Sequence, residues 1–397
     1  FIAVNFDERK AFIQLFEQAE TVEEVCDQLS LLTGVPIIPG KTLVFLDEIQ
    51  ASIPALRMLR YFYEKMPGLH VIAAGSLLDF ALEELPSFGS GRVRSIFMYP
   101  FSFREFMLAM GQGGLADRIR SAVVGTSFPE TVHTALNDWY LKFLIIGGMP
   151  AAVKAYAGGR SMLEVQRILN DLIIAIEADF AKYKSRFPGG RLSEVFKAVS
   201  AQTGHKFTIN YANATLNSVQ VREALRLLLM AGIIHPVVHS SSNGIPLGAE
   251  TNPRKTKYLL FDTGIFQRML GLDLGEMIIR RDFAAVNKGS IAELSAGLEL
   301  LKASDPYEQA QLYYWHRESR GSQAEVDYVI QRGSEIYPVE VKSGVRGGMK
   351  SLHLFLKEKH RTTGYRLSME NFAAMDSVEV VPLYATALLL KSGAVKG

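Results

Sequence analysis

A chain of 397 residues is longer than one hydrophobic core usually serves, so two or three domains are expected, and an apolar content of 48% is enough to fill them. With 43 Lys and Arg against 41 Asp and Glu, whole-chain charge argues neither for nor against nucleic acid, and only local patches can. The single cysteine, Cys26, excludes an internal disulfide and any multi-cysteine zinc site, suits a reducing compartment, and reads as a small core residue.

No apolar run approaches the roughly 18 to 20 residues needed to span a bilayer, and no basic region followed by an apolar segment resembles a signal peptide. A soluble cytoplasmic protein without a membrane partner is expected. The chain opens FIAVNFDERK, without an initiator Met and with strand-like residues already under way, which reads as the interior of a longer domain.

In chain order, FIAVNF (1–6) reads as a strand, residues 7–32 as helical, TLVFLDEIQ (42–50) as a strand, IPALRMLRYFYEKM (53–66) as a helix and HVIAAGSLL (70–78) as a further strand. Short apolar strands separated by helices indicate an α/β unit with a parallel sheet covered on its faces. This unit is placed at residues 1–102. Residues 103–198 read as a helical, lid-like domain interrupted by Gly147, Gly148 and Pro150 in IIGGMPAAV. The stretch SVQVREALRLLLMAGIIHPVVHSS then gives a helix, a Gly turn and a strand. SSSNGIPLGAE supplies a loop before KTKYLLF returns as a strand, and helix, turn and hairpin in that order suggest a winged helix at 199–270. Residues 271–397 hold a helix at 289–301, strands QAEVDYVI and YPVEVKSG with a polar turn between them, and the helix SLHLFLKEK, a second α/β unit.

Adjacent acids at the end of TLVFLDEIQ sit where open parallel sheets gather ligands, at a strand's carboxyl end. P-loop nucleotidases place their Walker B acids there. Asp47 would hold the Mg²⁺ on the nucleotide phosphates and Glu48 would orient or deprotonate the attacking water. On a straight strand two adjacent side chains diverge, which suits one acid for the metal and one for the water. The plainer reading is a solvated strand-to-helix turn with Asp47 as an N-cap. Ser76, ending the next strand, is a candidate polar sensor beside the phosphates.

LVFLDEIQ, AAGSLL and GRVRSIFMYPFSFREF, followed by IGGMPAAV, DFAKY, LRLLLMAGII and KYLLFDTGI, resemble a prokaryotic AAA-type P-loop ATPase family that carries a C-terminal domain of unknown function. The resemblance implies ATP and Mg²⁺ as cofactors, Arg92 as a phosphate-sensing cation with Arg94 a weaker candidate, and is compatible with a homo-oligomer. The family's phosphate-cradling G-x-x-x-x-G-K-[ST] loop does not occur in the 397 residues, and its place is expected ahead of Phe1.

In AEVDYVIQRGSEIYPVEVKSG, Glu340 and Lys342 are two residues apart and so share one face of a strand, and a hairpin brings Asp327 beside them. With the helical Glu293 upstream, these are the parts of a restriction-endonuclease-like D…E-x-K site: Asp327 and Glu340 as Mg²⁺ ligands, Lys342 on the water or the developing charge, Glu293 as a fourth member. A surface Glu–Lys pair on a two-stranded hairpin is the alternative. In the winged-helix segment Arg222 and Arg226 share a helix face, and Arg254, Lys255 and Lys257 lie near the wing, a modest basic footprint for DNA. The expected function is an ATPase coupled to nucleic-acid binding, with Mg²⁺-dependent DNA cleavage left open. The alternative is a non-catalytic, ATP-dependent regulatory switch that binds protein or nucleic acid.

Overall fold

The computed structural model describes residues 1–75, 78, 82, 91–183, 188–209, 216–271, 288–317, 324–342 and 348–391. The chain forms two compact units, Phe1–Ile96 and Phe97–Gly397.

The first unit is a three-stranded parallel sheet in the order β1 (Ile2–Asn5), β2 (Leu43–Asp47), β3 (His70–Ala73), with helices α1 (Lys10–Gln18), α2 (Val22–Thr33) and α3 (Ile53–Lys65). Residues 7–32, read as helical, form two helices, because Thr21 turns extended and its hydroxyl accepts from Glu24 N, which starts a new helix. Side chains alternate along each strand, so Ile2, Val4, Val44 and Leu46 face a core built with Phe12, Phe16, Val25, Leu29, Leu56 and Phe62 from the helices. Cys26 lies in this core, as read from the sequence, and burial pushes its thiol up to about 11. The opposite face differs from the expected covered sheet: Ile72 there is 48% exposed.

The second unit begins with helices α4 (Phe103–Ala109), α5 (Gly113–Arg120), α6 (Glu130–Ile146), α7 (Pro150–Ala157), α8 (Met162–Asp179), α9 (Gly189–Gln202) and α10 (Ser218–Met230). Strands β4 (Ile234–Ser240) and β5 (Thr251–Leu260) follow, then helices α11 (Thr263–Met269) and α12 (Lys288–Ala303). The chain continues through β6 (Leu312–His316), β7 (Glu325–Arg332), β8 (Glu335–Val341), α13 (Lys350–Glu358), β9 (Gly364–Ser368), β10 (Ala373–Met375) and β11 (Val378–Pro382). All eight strands make one mixed sheet, in the order β10-β11-β9-β8-β7-β6-β4-β5. Helix α10, the Gly232 turn and the β4–β5 hairpin appear in the order read from the sequence, but β4 also pairs in parallel with β6 through Val237↔Leu312 and Val238↔Tyr313. The hairpin expected in a separate wing is therefore an edge of the C-terminal sheet.

The glycines of IIGGMP have a packing reason. Gly147 has φ of +74°, and a side chain there would strike the Asp262 carboxylate, while one on Gly148 would strike the Phe101 carbonyl. Gly148 N donates to Asp262 Oδ2 at 2.7 Å and Ile265 N to Asp262 Oδ1 at 3.0 Å, so one buried carboxylate both caps α11 and ties it to the α6–α7 turn. No helix among the described residues is long and apolar enough to cross a membrane.

Candidate functional site

In the first unit β2 ends at Asp47, in register with Asn5 on β1. Asn5 Nδ2 donates to Asp47 Oδ2 at 3.0 Å, and Glu48 N donates to Asp47 Oδ1 at 3.1 Å, so both carboxylate oxygens are held in place while the side chain stays half-buried. Glu48 leaves the strand with φ of 52° and ψ of 41°, a left-handed conformation that costs a non-glycine residue about 1 kcal/mol or more. The two acids thus do not diverge by strand alternation, as the straight-strand reading had it. A backbone turn re-aims the second one, and Gln50 Nε2 donates to its Oε2. The end of β3 is drawn to the same place, since Ala74 N donates to Leu46 O and Ile49 N to Ala74 O at 2.8 and 3.0 Å.

Ser76 lies outside the described residues. Arg92 is exposed and pairs with Glu64 of α3 at 2.7 Å, and Arg94 is exposed. Asp47 and Glu48 thus stand together at the carboxyl end of β2, and the phosphate-cradling G-x-x-x-x-G-K-[ST] loop is not in the sequence.

The second unit assembles a denser charge cluster. Antiparallel pairing of β7 with β8, starting at Tyr328↔Val339, brings Asp327 beside the end of β8, where Val341 N donates to Asp327 Oδ2 at 2.7 Å. Glu340 is buried and its Oε1 takes the Lys342 ammonium at 2.6 Å. Glu340 Oε2 is buried without a hydrogen-bond partner among the described residues. Glu293, on α12, comes from the opposite side and is anchored through Tyr328 OH, which donates to the Glu293 carbonyl at 2.7 Å.

Lys257 overturns its expected place in the basic footprint. Its side chain is 1% exposed, with the ammonium 2.9 Å from Glu293 Oε1 and 2.6 Å from Glu325 Oε1. Lys257 lies opposite Val237 on β4, in the stretch of β5 where the chain passes from exposed to buried. Burial alone would push the amine toward neutrality, but Glu293, Glu325 and Asp327 together hold its proton well above the ordinary lysine range. The same burial pushes Glu293, Asp327 and Glu340 upward, against the pull of Lys257 on the first two and of Lys342 on Glu340.

So the structure does bring Glu293, Asp327, Glu340 and Lys342 into one electrostatic cluster, and adds two members. Glu325 was missed although it stands two residues before Asp327 on the same face of β7, the one sequence signal that points to it. The residues do not fit a divalent ion as they stand. Two ammonium groups already sit on carboxylates of the cluster as its cations, and among the described residues no group of three or more His, Cys, Asp or Glu is placed to hold a metal.

Of the remaining basic candidates, Arg222 and Arg226 are exposed on one face of α10. Arg222 bonds to Ser218 Oγ at 3.1 Å and Arg226 to Glu223 Oε1 at 3.4 Å. Arg254 is exposed and Lys255 half-buried on β5.

Residues 1–107 match the family model of an AAA domain. Residues 137–276 match a domain of unknown function (DUF8612), and residues 288–386 match another (DUF4143). No curated protein and no solved structure matches the chain. The N-terminal region is thus similar to an ATPase-type domain and the C-terminal region to a domain of unknown function, in keeping with the resemblance read from the sequence. The acids at the end of β2 lie inside the AAA-like segment and the Lys257 cluster spans the two others.

Proposed function

We propose that the protein is an ATP-dependent switch: an AAA-type module that binds and hydrolyses ATP, coupled to a C-terminal unit that binds nucleic acid without cutting it. The observation that carries the first half is Asp47, locked by Asn5 and followed by a left-handed Glu48, within the segment similar to an AAA domain. Mg²⁺, when bound, offsets charge on the phosphates. Asp47 would hold that ion, and its two supporting donors keep the carboxylate oriented without leaving side-chain freedom to be lost on binding. Glu48, turned off the strand, would take a proton from the attacking water, and the donor from Gln50 fixes its carboxylate until then.

The nucleic-acid half is supported by the exposed Arg222, Arg226 and Arg254 with the half-buried Lys255, since guanidinium groups pair with phosphate in a planar fork. Lys257 contributes nothing to that surface. Duplex DNA is the proposed partner, bound through its backbone without sequence readout. A cleaving reading has one geometric feature in its favour, the Asp327 carboxylate beside the Glu340–Lys342 pair, and the same experiment separates the two. Full-length protein is incubated with labelled duplex DNA and Mg²⁺, with ATP or with ADP. The switch reading requires an affinity that differs between nucleotides and DNA that stays intact. Equal affinity with both nucleotides contradicts the switch, and cut DNA contradicts its non-catalytic second half.

A further inference from the structure

We infer that Lys257 is a built-in counter-cation whose ammonium occupies the place where a divalent metal would sit among Glu293, Glu325 and Asp327. Three observations on separate elements support it. The ammonium is bound at 2.9 Å by a carboxylate from α12 and at 2.6 Å by one from β7, so it bridges the helix and the sheet as a metal in such a cluster would. The Tyr314 ring of β6 lies against it with its centroid 5.0 Å from Nζ, and the lysine's backbone is held in register with Val237 of β4. The neighbouring oxygens are taken as well: Asp327 Oδ2 by Val341 N, and Glu340 Oε1 by Lys342.

Within the cluster Glu340 Oε2 is buried without a hydrogen-bond partner among the described residues. A divalent ion there needs about six oxygen ligands at about 2.1 Å, and the Lys257 ammonium already sits on two of the carboxylates that would supply them. A lysine on a four-carbon stem delivers one positive charge and three donors to fixed acceptors, and two of those donors are already placed. The charges facing it are Glu293 from α12, Glu325 and Asp327 from β7 and Glu340 from β8, with Lys342 beyond Glu340. Two ammonium groups thus offset half the charge of the four carboxylates from within the chain, and burial, which raises Glu293, Asp327 and Glu340, works against the rest of that charge. This goes beyond the switch reading and does not depend on ATP turnover or DNA binding.

The test is a calorimetric titration of Mn²⁺ alone into the nucleotide-free full-length chain, in an Asp47→Asn background that removes the ligand expected at the other site. The chain with Asp327→Asn and Glu340→Gln added should give the same trace as the chain without them. A Mn²⁺ site present in the first and lost in the second overturns the inference. Lys257→Gln, which removes the charge but keeps a hydrogen-bonding head, should gain one Mn²⁺ equivalent that Asp327→Asn abolishes again. A folded Lys257→Gln chain that gains no Mn²⁺ also overturns it. Where that variant fails to fold, the first comparison still decides.

Discussion

Asn5 and Asp47 face each other across the β1–β2 pair, and the Asn5 amide donates to Asp47 Oδ2 at 3.0 Å. The carboxylate proposed to hold Mg²⁺ is oriented before any ion arrives, and the cost of orienting it is met in folding. Asn5→Ala should leave the fold intact, because the side chain is only half-buried, and raise the Mg²⁺ concentration needed for half-maximal ATP turnover about fivefold, the equivalent of about 1 kcal/mol for one hydrogen bond. A Mg²⁺ titration of turnover in wild-type and variant chains measures this.

The buried Asp262 carboxylate accepts from two backbone donors, one at the start of α11 and one in the α6–α7 turn. Asp262→Ala should destabilise the second unit by about 2 to 4 kcal/mol, the sum expected for two bonds to a buried charged acceptor and a lost cap. Denaturant unfolding followed by tryptophan fluorescence reads this directly, since both Trp139 and Trp315 belong to that unit.

His235 has a ring Nε2 buried without a partner among the described residues and packs edge-on to Tyr99 at 5.5 Å. Burial, with the Lys302 ammonium adding to it, pushes its pKa down to about 4. The unfolded chain therefore binds a proton below an ordinary histidine pKa of about 6.5 that the folded chain refuses until about 4. The sign follows: this stability is intact above pH 6.5 and declines as pH falls toward 4, by at most about 3 kcal/mol. His235→Leu should flatten that part of the stability profile between pH 7 and 4.5, measured by denaturant midpoints.

How much of this was legible in the sequence depends on the range over which each feature is decided. The β2 strand and its acids are local: four apolar residues running into Asp47 and Glu48 suffice. The left-handed turn at Glu48 is not, because nothing in LDEIQ demands φ > 0. Glu340 with Lys342 was legible from period two, and Asp327 from the hairpin. Lys257 was misread because R-K-T-K looks like a basic surface run. Its burial is set by β4 pairing on one side with β5 and on the other with β6, a parallel contact between segments far apart in the chain. The same long-range pairing merges the expected winged-helix hairpin with the C-terminal sheet.

Arg222 and Arg226 sit four residues apart, exposed on α10, and each bonds to a neighbour on its own helix. If DNA phosphates displace those neighbours, Arg222→Ala and Arg226→Ala should each weaken binding similarly for unrelated duplex sequences and reduce the slope of log affinity against log salt by about 1. Lys257→Gln should leave that slope unchanged, because the buried ammonium meets no phosphate. Salt titrations of DNA affinity in the three variants provide the comparison.

The ATPase reading turns on Glu48, the half-buried acid that the left-handed turn carries off the end of β2. Steady-state ATP hydrolysis by full-length wild-type protein and its Glu48→Gln variant, with nucleotide binding measured alongside, tests it most directly. Glutamine keeps the shape and the partner at Gln50 but cannot take a proton, so turnover should fall at least roughly a hundredfold while ATP still binds. Hydrolysis that continues unchanged in Glu48→Gln would contradict the assignment.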